Sequence, residues 1–163
     1  MLKFINIFFF FVAATIVHWI FIEIFSPFNI IVGVMLVFSL IVAGELSQAW
    51  GYSFAFFGGL FLDFFNNVMF GGYALVFTII LFVFYKISDK IDFKDVGSQI
   101  VITTVLNMIM VLIYGLLAQI FTGIFLWHGI ISFCLGALLS GLLLPVLYFV
   151  AKKYFVLSGL TNK

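Results

Sequence analysis

Apolar residues run through this chain in six long stretches, separated by short clusters of polar residues. A helix rises about 1.5 Å per residue, so roughly 20 apolar residues cross the ~30 Å hydrocarbon core of a membrane. The pattern therefore predicts an all-α integral membrane protein with six transmembrane helices in one domain, residues 1–163. The predicted bounds are about 4–25, 30–44, 49–65, 71–87, 98–121 and 126–150.

Two prolines and a pair of asparagines account for two of the breaks between the stretches and for a kink within the last one. Pro27 disfavours helix at the residue before it, and Asn66 with Asn67 suits a turn because asparagine tolerates positive φ. Pro145 lies inside the last stretch, where a membrane helix tolerates a proline as a kink. We expect that kink near the inner third of the sixth helix.

Composition indicates that the chain lies in lipid, and the positions of the lysines indicate how it is oriented in the membrane. The chain is 66% hydrophobic and 8% charged, against about 25% charged residues in soluble domains. All seven basic residues are lysines, and with a cytoplasmic N-terminus every one falls in a cytoplasmic segment, at 1–3, 86–97 or 151–163. This positive-inside pattern places both termini in the cytoplasm. Seven scattered lysines form no dense basic face, so nucleic acid is excluded as a partner.

Two rows of small or polar residues at four-residue spacing mark helix faces for close packing. Four-residue spacing keeps side chains on one face of a helix, and membrane helices associate through small residues and hydrogen bonds between helices. We expect each face to meet another helix instead of lipid, and each is a candidate docking face for a partner. The rows are Ala55, Gly59 and Asp63 in the third stretch, and Ser132, Gly136 and Ser140 in the sixth.

Asp63 is the only acidic residue well inside an apolar stretch. It lies in the outer third of its predicted helix. A carboxylate at the centre of a membrane helix costs roughly 2.5–3.5 kcal/mol, and less towards the interface. One interpretation is an orienting or partner-binding carboxylate. The other is a carboxylate that accepts hydrogen bonds from Asn66, Asn67 or nearby backbone N–H groups and so fixes the outer turn. Spacing alone leaves both open.

The remaining polar residues give little support for chemistry. A cluster that could hold a metal or relay protons on the outer side is geometrically possible, but side chains that reach to the interface are the simpler interpretation; its members are His18, Glu23, Asp63 and His128. Asn107 and Gln119 suit hydrogen bonds between helices. No catalytic motif is present, so we predict no enzyme activity, no cofactor and no metal site.

The segment around Asp63 resembles the MreD family, the small membrane subunit of the bacterial rod-shape (elongation) machinery. The family pattern is a Gly, three apolar residues, an Asp, a short turn and a Gly that opens the next span. This chain has Gly59, then Leu-Phe-Leu, Asp63, the turn at Asn66-Asn67 and Gly71. The stretch LVFTIILFVFYKI resembles the fourth span with its basic inner end. Ser140-Gly141, Pro145 and Lys152-Lys153 resemble the last span and its basic tail.

The resemblance implies a non-enzymatic scaffold in the bacterial cytoplasmic membrane that supports side-wall peptidoglycan synthesis. The implied partners are MreC, the MreB filament, and the RodA glycosyltransferase with its penicillin-binding transpeptidase; membrane lipids surround the chain. MreD-like proteins are also thought to share a six-helix core with the substrate-binding subunits of energy-coupling-factor vitamin transporters. A subunit of that kind is therefore the alternative function.

Overall fold

The computed structural model describes residues 2–66, 68–88, 93, 95–123 and 129–160, and every regular element within these ranges is helical. Each predicted stretch contains one helix, and the bounds depart most from prediction in the second and sixth. A short 3₁₀ turn, Ser26–Phe28, follows the first helix. The helices are α1 (Leu2–Phe25), α2 (Val34–Glu45), α3 (Gln48–Phe65), α4 (Gly72–Ser88), α5 (Val96–Thr122) and α6 (Ile130–Leu157).

Helix α2 is the centre of the bundle. Its residues from Val34 to Ala43 are all buried, and it packs against each of the other five helices. At about 1.5 Å per residue its twelve residues reach roughly 18 Å, which is too short to cross the hydrocarbon core alone. Its apolar side chains therefore form the protein core, and the other helices enclose it.

The structure corrects the start of the second helix from residue 30 to Val34. Residues 29–33 are non-helical, although Val32 and Gly33 are buried. The Gly33 N–H donates to the Ser140 Oγ at 2.9 Å, and the Val34 N–H donates to the Val32 carbonyl at 2.9 Å. Non-helical backbone at membrane depth is tolerated where protein covers it. Here α6 supplies both the cover and a hydrogen-bond acceptor.

The structure also moves the end of the sixth helix from residue 150 to Leu157. The helix continues through Pro145, which is half-buried. Its last turns pack against the beginning of α1: the Tyr154 Oη donates to the Asn6 carbonyl at 2.9 Å, and the Asn6 Nδ2 donates to the Ser158 carbonyl at 3.2 Å. These contacts extend the helix beyond the point where charged residues suggested an end.

Successive helices run in opposite directions, and one end of the bundle gathers the described lysines. At this end the Tyr148 hydroxyl of α6 donates to the Glu45 carboxylate at the end of α2. The Phe93 ring lies 4.9 Å from the Phe84 ring of α4, centre to centre, and 6.2 Å from the Tyr148 ring. We call this the lysine end; within the described part of the chain its lysines are Lys3, Lys86, Lys152 and Lys153.

The outer surface of the bundle is apolar, as its core is. Large apolar side chains face outward, for example Phe149 at 76% and Ile120 at 73% exposure. Within the part of the chain that the structure describes, three segments are long and apolar enough to cross a membrane: Lys3–Phe28, Val96–Thr122 and Ile130–Leu157. The buried polar side chains within the described ranges are His18, Ser39, Asp63, Gln99, Thr103, Asn107 and Ser140. An apolar exterior, with a few polar side chains turned to the interior, is typical of a chain whose solvent is lipid.

Candidate functional site: the α3–α4 corner and its cavity

Asp63 links the end of α3 to the beginning of α4. Its carboxylate is 2% exposed and accepts the Tyr73 N–H at 2.9 Å and the Ala74 N–H at 3.1 Å. The first N–H groups of a helix have no partner within the helix, and that end carries a partial positive charge. Asp63 supplies both the acceptor and the complementary charge. The structure thus gives Asp63 backbone N–H partners, and they lie ten and eleven residues further along the chain.

Small residues on the same face let the two helices approach. A side chain at Gly59 would collide with the backbone of Tyr73 and Ala74, so α4 begins directly against α3. Ala55, one turn earlier, is fully buried. Gly71 has φ +87°, and a Cβ there would meet no atom within 4 Å. Gly59 therefore provides space, whereas Gly71 provides backbone freedom.

The turn that follows Asp63 is tied to α5. The Asn66 Nδ2 donates to the Tyr114 Oη at 2.7 Å, and the Val68 N–H donates to the Asn66 Oδ1 at 3.1 Å. The Tyr73 and Tyr114 rings stack with their centres 4.0 Å apart. Together these contacts hold α3, α4 and α5 in one corner. Asn67, which the sequence also places in this turn, lies outside the described residues.

The second row holds the entry to α2 in place. Gly136 lies against the backbone of Ile31, where a side chain would collide with the carbonyl oxygen. Ser140 is fully buried; its hydroxyl donates to the Gly136 carbonyl at 2.7 Å and accepts the Gly33 N–H. Ser132 is half-buried at the beginning of α6. Gly59 and Asp63 of the first row, and Gly136 and Ser140 of the second, thus make contacts within this chain.

A cavity of about 350 Å³ lies beside this corner, at the end of the bundle opposite the lysine end. His18 on α1 lines it and is 7% exposed, and its Nδ1 has no hydrogen-bond partner among the described residues. Ser26, Asn29, Asn66 and Tyr73 add polar groups, and the rest of the lining is apolar. A second cavity of about 270 Å³ lies towards α5 and shares part of this lining. Space with a few polar groups in an apolar wall is typical of a ligand site.

The structure separates the members of the outer cluster. His18 faces the cavity, Glu23 is exposed, and Asp63 faces the backbone of α4. His128 lies outside the described residues. Among the residues that the structure describes, no three His, Cys, Asp or Glu side chains lie close enough together to hold a metal ion.

Sequence reasoning singled out Asn107 but missed Gln99 and Thr103, which precede it on α5 at four-residue spacing; all three are at most 1% exposed. The Gln99 Nε2 donates to the Phe93 carbonyl at 2.9 Å, whereas the Thr103 hydroxyl and the Asn107 amide have no partner within the described ranges. Their four-residue spacing is the signal that could have found them. Polar groups buried in this way commonly bind ordered water.

Comparison with known proteins found no matching family model, no matching curated protein and no matching solved structure.

Proposed function

We propose that this chain is a non-enzymatic scaffold subunit of the MreD type in the bacterial cell-elongation machinery. It would cross the cytoplasmic membrane six times with both termini in the cytoplasm, and it would hold MreC, the MreB filament, RodA and the penicillin-binding transpeptidase together during side-wall synthesis. The observation that carries the proposal is the corner at Asp63. The residues of the MreD-like pattern, Gly59, Asp63 and Gly71, each have a separate structural task there.

The distribution of charge supports the proposed orientation. The described lysines collect at one end of the bundle, and cytoplasmic ends of membrane helices carry an excess of lysine. With the lysine end in the cytoplasm, Lys86, Lys152 and Lys153 face anionic lipid and the filament. Asp63 and the cavity then face the outer side of the membrane.

Because the two rows are mostly buried, partners would have to bind at other faces than those the sequence suggested. Ala55, Asp63 and Ser140 are covered by helices of this chain. The single spans of partners would therefore pack on exposed apolar faces, such as the outward face of α6 that carries Phe149. The two rows would act indirectly, because they fix the relative positions of the helices that present those faces.

A mild-detergent pull-down of the tagged protein from its native membrane, read by mass spectrometry, tests the proposal. Recovery of MreC and the wall-synthesis enzymes is the expected result. Asp63→Ala should reduce that recovery at normal membrane levels, whereas Asp95→Ala, which removes an exposed cap of α5 at the lysine end, should not. Full recovery with Asp63→Ala would contradict the role given to the corner, and absence of all these partners from the wild-type sample would contradict the scaffold itself.

The cavity beside His18 favours a second candidate, the substrate-binding subunit of an energy-coupling-factor vitamin transporter. Its volume of about 350 Å³ and its few polar groups fit a small molecule. The same pull-down separates the two candidates, since a transporter of this class would bring down a pair of ATPase subunits.

A further inference from the structure

Aromatic side chains from three helices line the cavity of about 350 Å³ opposite the lysine end. Trp19 and Phe21 come from α1, Phe61 and Phe65 from α3, and Tyr73 from α4. The Trp19 ring meets the Phe65 ring edge to face, with 5.1 Å between the ring centres. Aromatic rings pack favourably against a further ring, either stacked with an offset or edge to face. A wall of this kind favours a ligand that contains a flat ring.

Tyr73 adds a hydrogen-bond donor to this wall. Within the described residues its hydroxyl has no acceptor, and it is not one of the fully buried polar atoms that lack a partner, so a ligand can reach it. The neighbouring Asn66 already uses its amide: Nδ2 donates to the Tyr114 Oη at 2.7 Å, and Oδ1 accepts the Val68 N–H at 3.1 Å. An acceptor oxygen on a ligand would give the Tyr73 hydroxyl proton the partner that it lacks.

The charge around the cavity selects against ions. Among the residues that the structure describes, no Lys, Asp or Glu lines it. An ionised ligand would have no counter-charge there, and burying an unpaired charge is costly. An anion would also be repelled by the Asp63 carboxylate, which accepts the Tyr73 N–H at 2.9 Å behind this wall. The cavity therefore favours an uncharged ligand.

The rim of the cavity lies among residues that face lipid. Trp19 and Ile22 of α1 are 41% and 43% exposed, and Phe65 of α3 is 59% exposed. A ligand that is dissolved in the membrane can therefore enter between these two helices. A volume of about 350 Å³ lies at the small end of the range for ligand pockets, so it has room for a ring system, and a chain attached to the ring would stay in the lipid.

We propose that this cavity binds the ring of an uncharged, lipid-soluble quinone. A quinone is flat, carries no charge and presents carbonyl oxygens that accept hydrogen bonds, so it matches the aromatic wall, the uncharged lining and the free donor. The Tyr73 hydroxyl donates to one carbonyl oxygen, and the aromatic side chains of α1 and α3 pack against the ring. The proposal concerns binding alone, goes beyond the scaffold function and does not depend on it.

Quenching of Trp19 by duroquinone tests the proposal. The ring of this quinone is fully methylated, which leaves no open position for addition of the Cys134 thiol. The full-length Trp50→Phe, Trp127→Phe protein keeps Trp19 as its single tryptophan and is placed in phosphatidylcholine vesicles. Quinones quench tryptophan at close contact, so binding in the cavity should give quenching that saturates as duroquinone is added. The Trp19→Phe, Trp127→Phe protein keeps only Trp50, at the other end of α3, and should show only the linear quenching caused by quinone dissolved in lipid.

A matched pair of hydroxyl deletions tests the donor. Tyr73→Phe keeps the ring that stacks on Tyr114 and removes only the hydroxyl. It should weaken duroquinone binding about two- to tenfold, the equivalent of one neutral hydrogen bond. Tyr52→Phe removes a hydroxyl near the beginning of α3, away from the cavity, and should leave binding unchanged. Equal affinity of the Tyr73→Phe protein and the parent would contradict the role given to Tyr73.

Competition separates the chemical features of the ligand. Durene, which has the same methylated ring without carbonyl oxygens, should displace duroquinone poorly, and displacement by durene as strong as by unlabelled quinone would overturn the need for an acceptor. Stronger displacement by the anionic anthraquinone-2-sulfonate would overturn the uncharged class. Linear quenching of equal size in both single-tryptophan proteins would overturn the site itself. These outcomes are read from proteins that retain Tyr73, so they stay decisive even if the Tyr73→Phe protein fails to fold.

Discussion

Removing the Asp63 carboxylate should destabilise the bundle through the backbone of α4. In Asp63→Ala the Tyr73 and Ala74 N–H groups lose their acceptor in a site where Asp63 is 2% exposed. Each buried donor left without a partner costs about 1–3 kcal/mol. Hydrogen bonds between membrane helices average only about 0.6 kcal/mol, since the unfolded state in the membrane also finds partners. Two donors therefore bracket the loss between about 1 and 6 kcal/mol.

Burial decides which part of that range to expect. Little water reaches the two N–H groups, and Gly59 holds the backbones too close for another side chain to take the place of the carboxylate. We therefore expect a loss of at least about 2 kcal/mol in the free energy of unfolding. Asp63→Asn keeps one acceptor oxygen and replaces the other with an NH₂ donor, so it should lose roughly half as much.

Reversible unfolding of the purified protein in mixed micelles, followed by helical circular dichroism, measures these losses. Asp95→Ala is the control: Asp95 caps α5 through the Ser98 N–H at 2.9 Å in an exposed position, and its loss should cost about 0.5–2 kcal/mol. An Asp63→Ala loss no larger than that of Asp95→Ala would refute the argument that a buried, doubly bonded cap holds this corner.

The same unfolding measurement checks three further variants. Ser140→Ala should cost about 1–3 kcal/mol because the buried Gly33 N–H at the entry to α2 loses its acceptor, whereas Ser132→Ala, in the half-buried position of the same row, should stay within about 0.5 kcal/mol. Gly59→Ala should cost about 1–3 kcal/mol through overpacking, because its new methyl group meets the backbone of Ala74, which cannot rotate away; a smaller loss would mean that the helices separate easily. Tyr114→Phe should cost about 0.5–1.5 kcal/mol by removing the hydroxyl that accepts from the loop after α3, and an unchanged stability would show that water replaces it.

The positions of the six helices follow from the hydrophobic pattern, whereas the capping contacts do not. Four-residue spacing put Ala55 and Asp63 on one face, and the structure buries both. Spacing could not reveal that this face meets the beginning of α4, because that depends on the direction the chain takes after Asn66. Residues 30–32 have the same apolar composition as a helix. Their non-helical backbone depends on Ser140, which is 107 positions from its partner Gly33.

The candidate cavity was even harder to predict from the sequence than the capping contacts. His18 and Asn66 are separated by many residues, and each has an ordinary role at a membrane interface. Only the packing of α1 against the end of α3 brings them to one cavity. The row on α5 was visible at four-residue spacing, but Gln99 and Thr103 each stand beside another polar residue, Ser98 and Thr104, which obscures the row. Polar residues in a membrane helix also commonly bond a neighbouring helix.

The central position of α2 has a consequence for how the protein is made. A helix of twelve residues gains little from lipid contact alone, and the acceptor for the N–H group at its entry belongs to α6, which is synthesised after the other five described helices. The earlier helices therefore stay incompletely enclosed until α6 has been synthesised. A copy that stops before α6 exposes an uncapped helix end and an open core. We expect such a copy to be degraded faster than the chain that contains α6, because proteolysis acts on open and partly unfolded states.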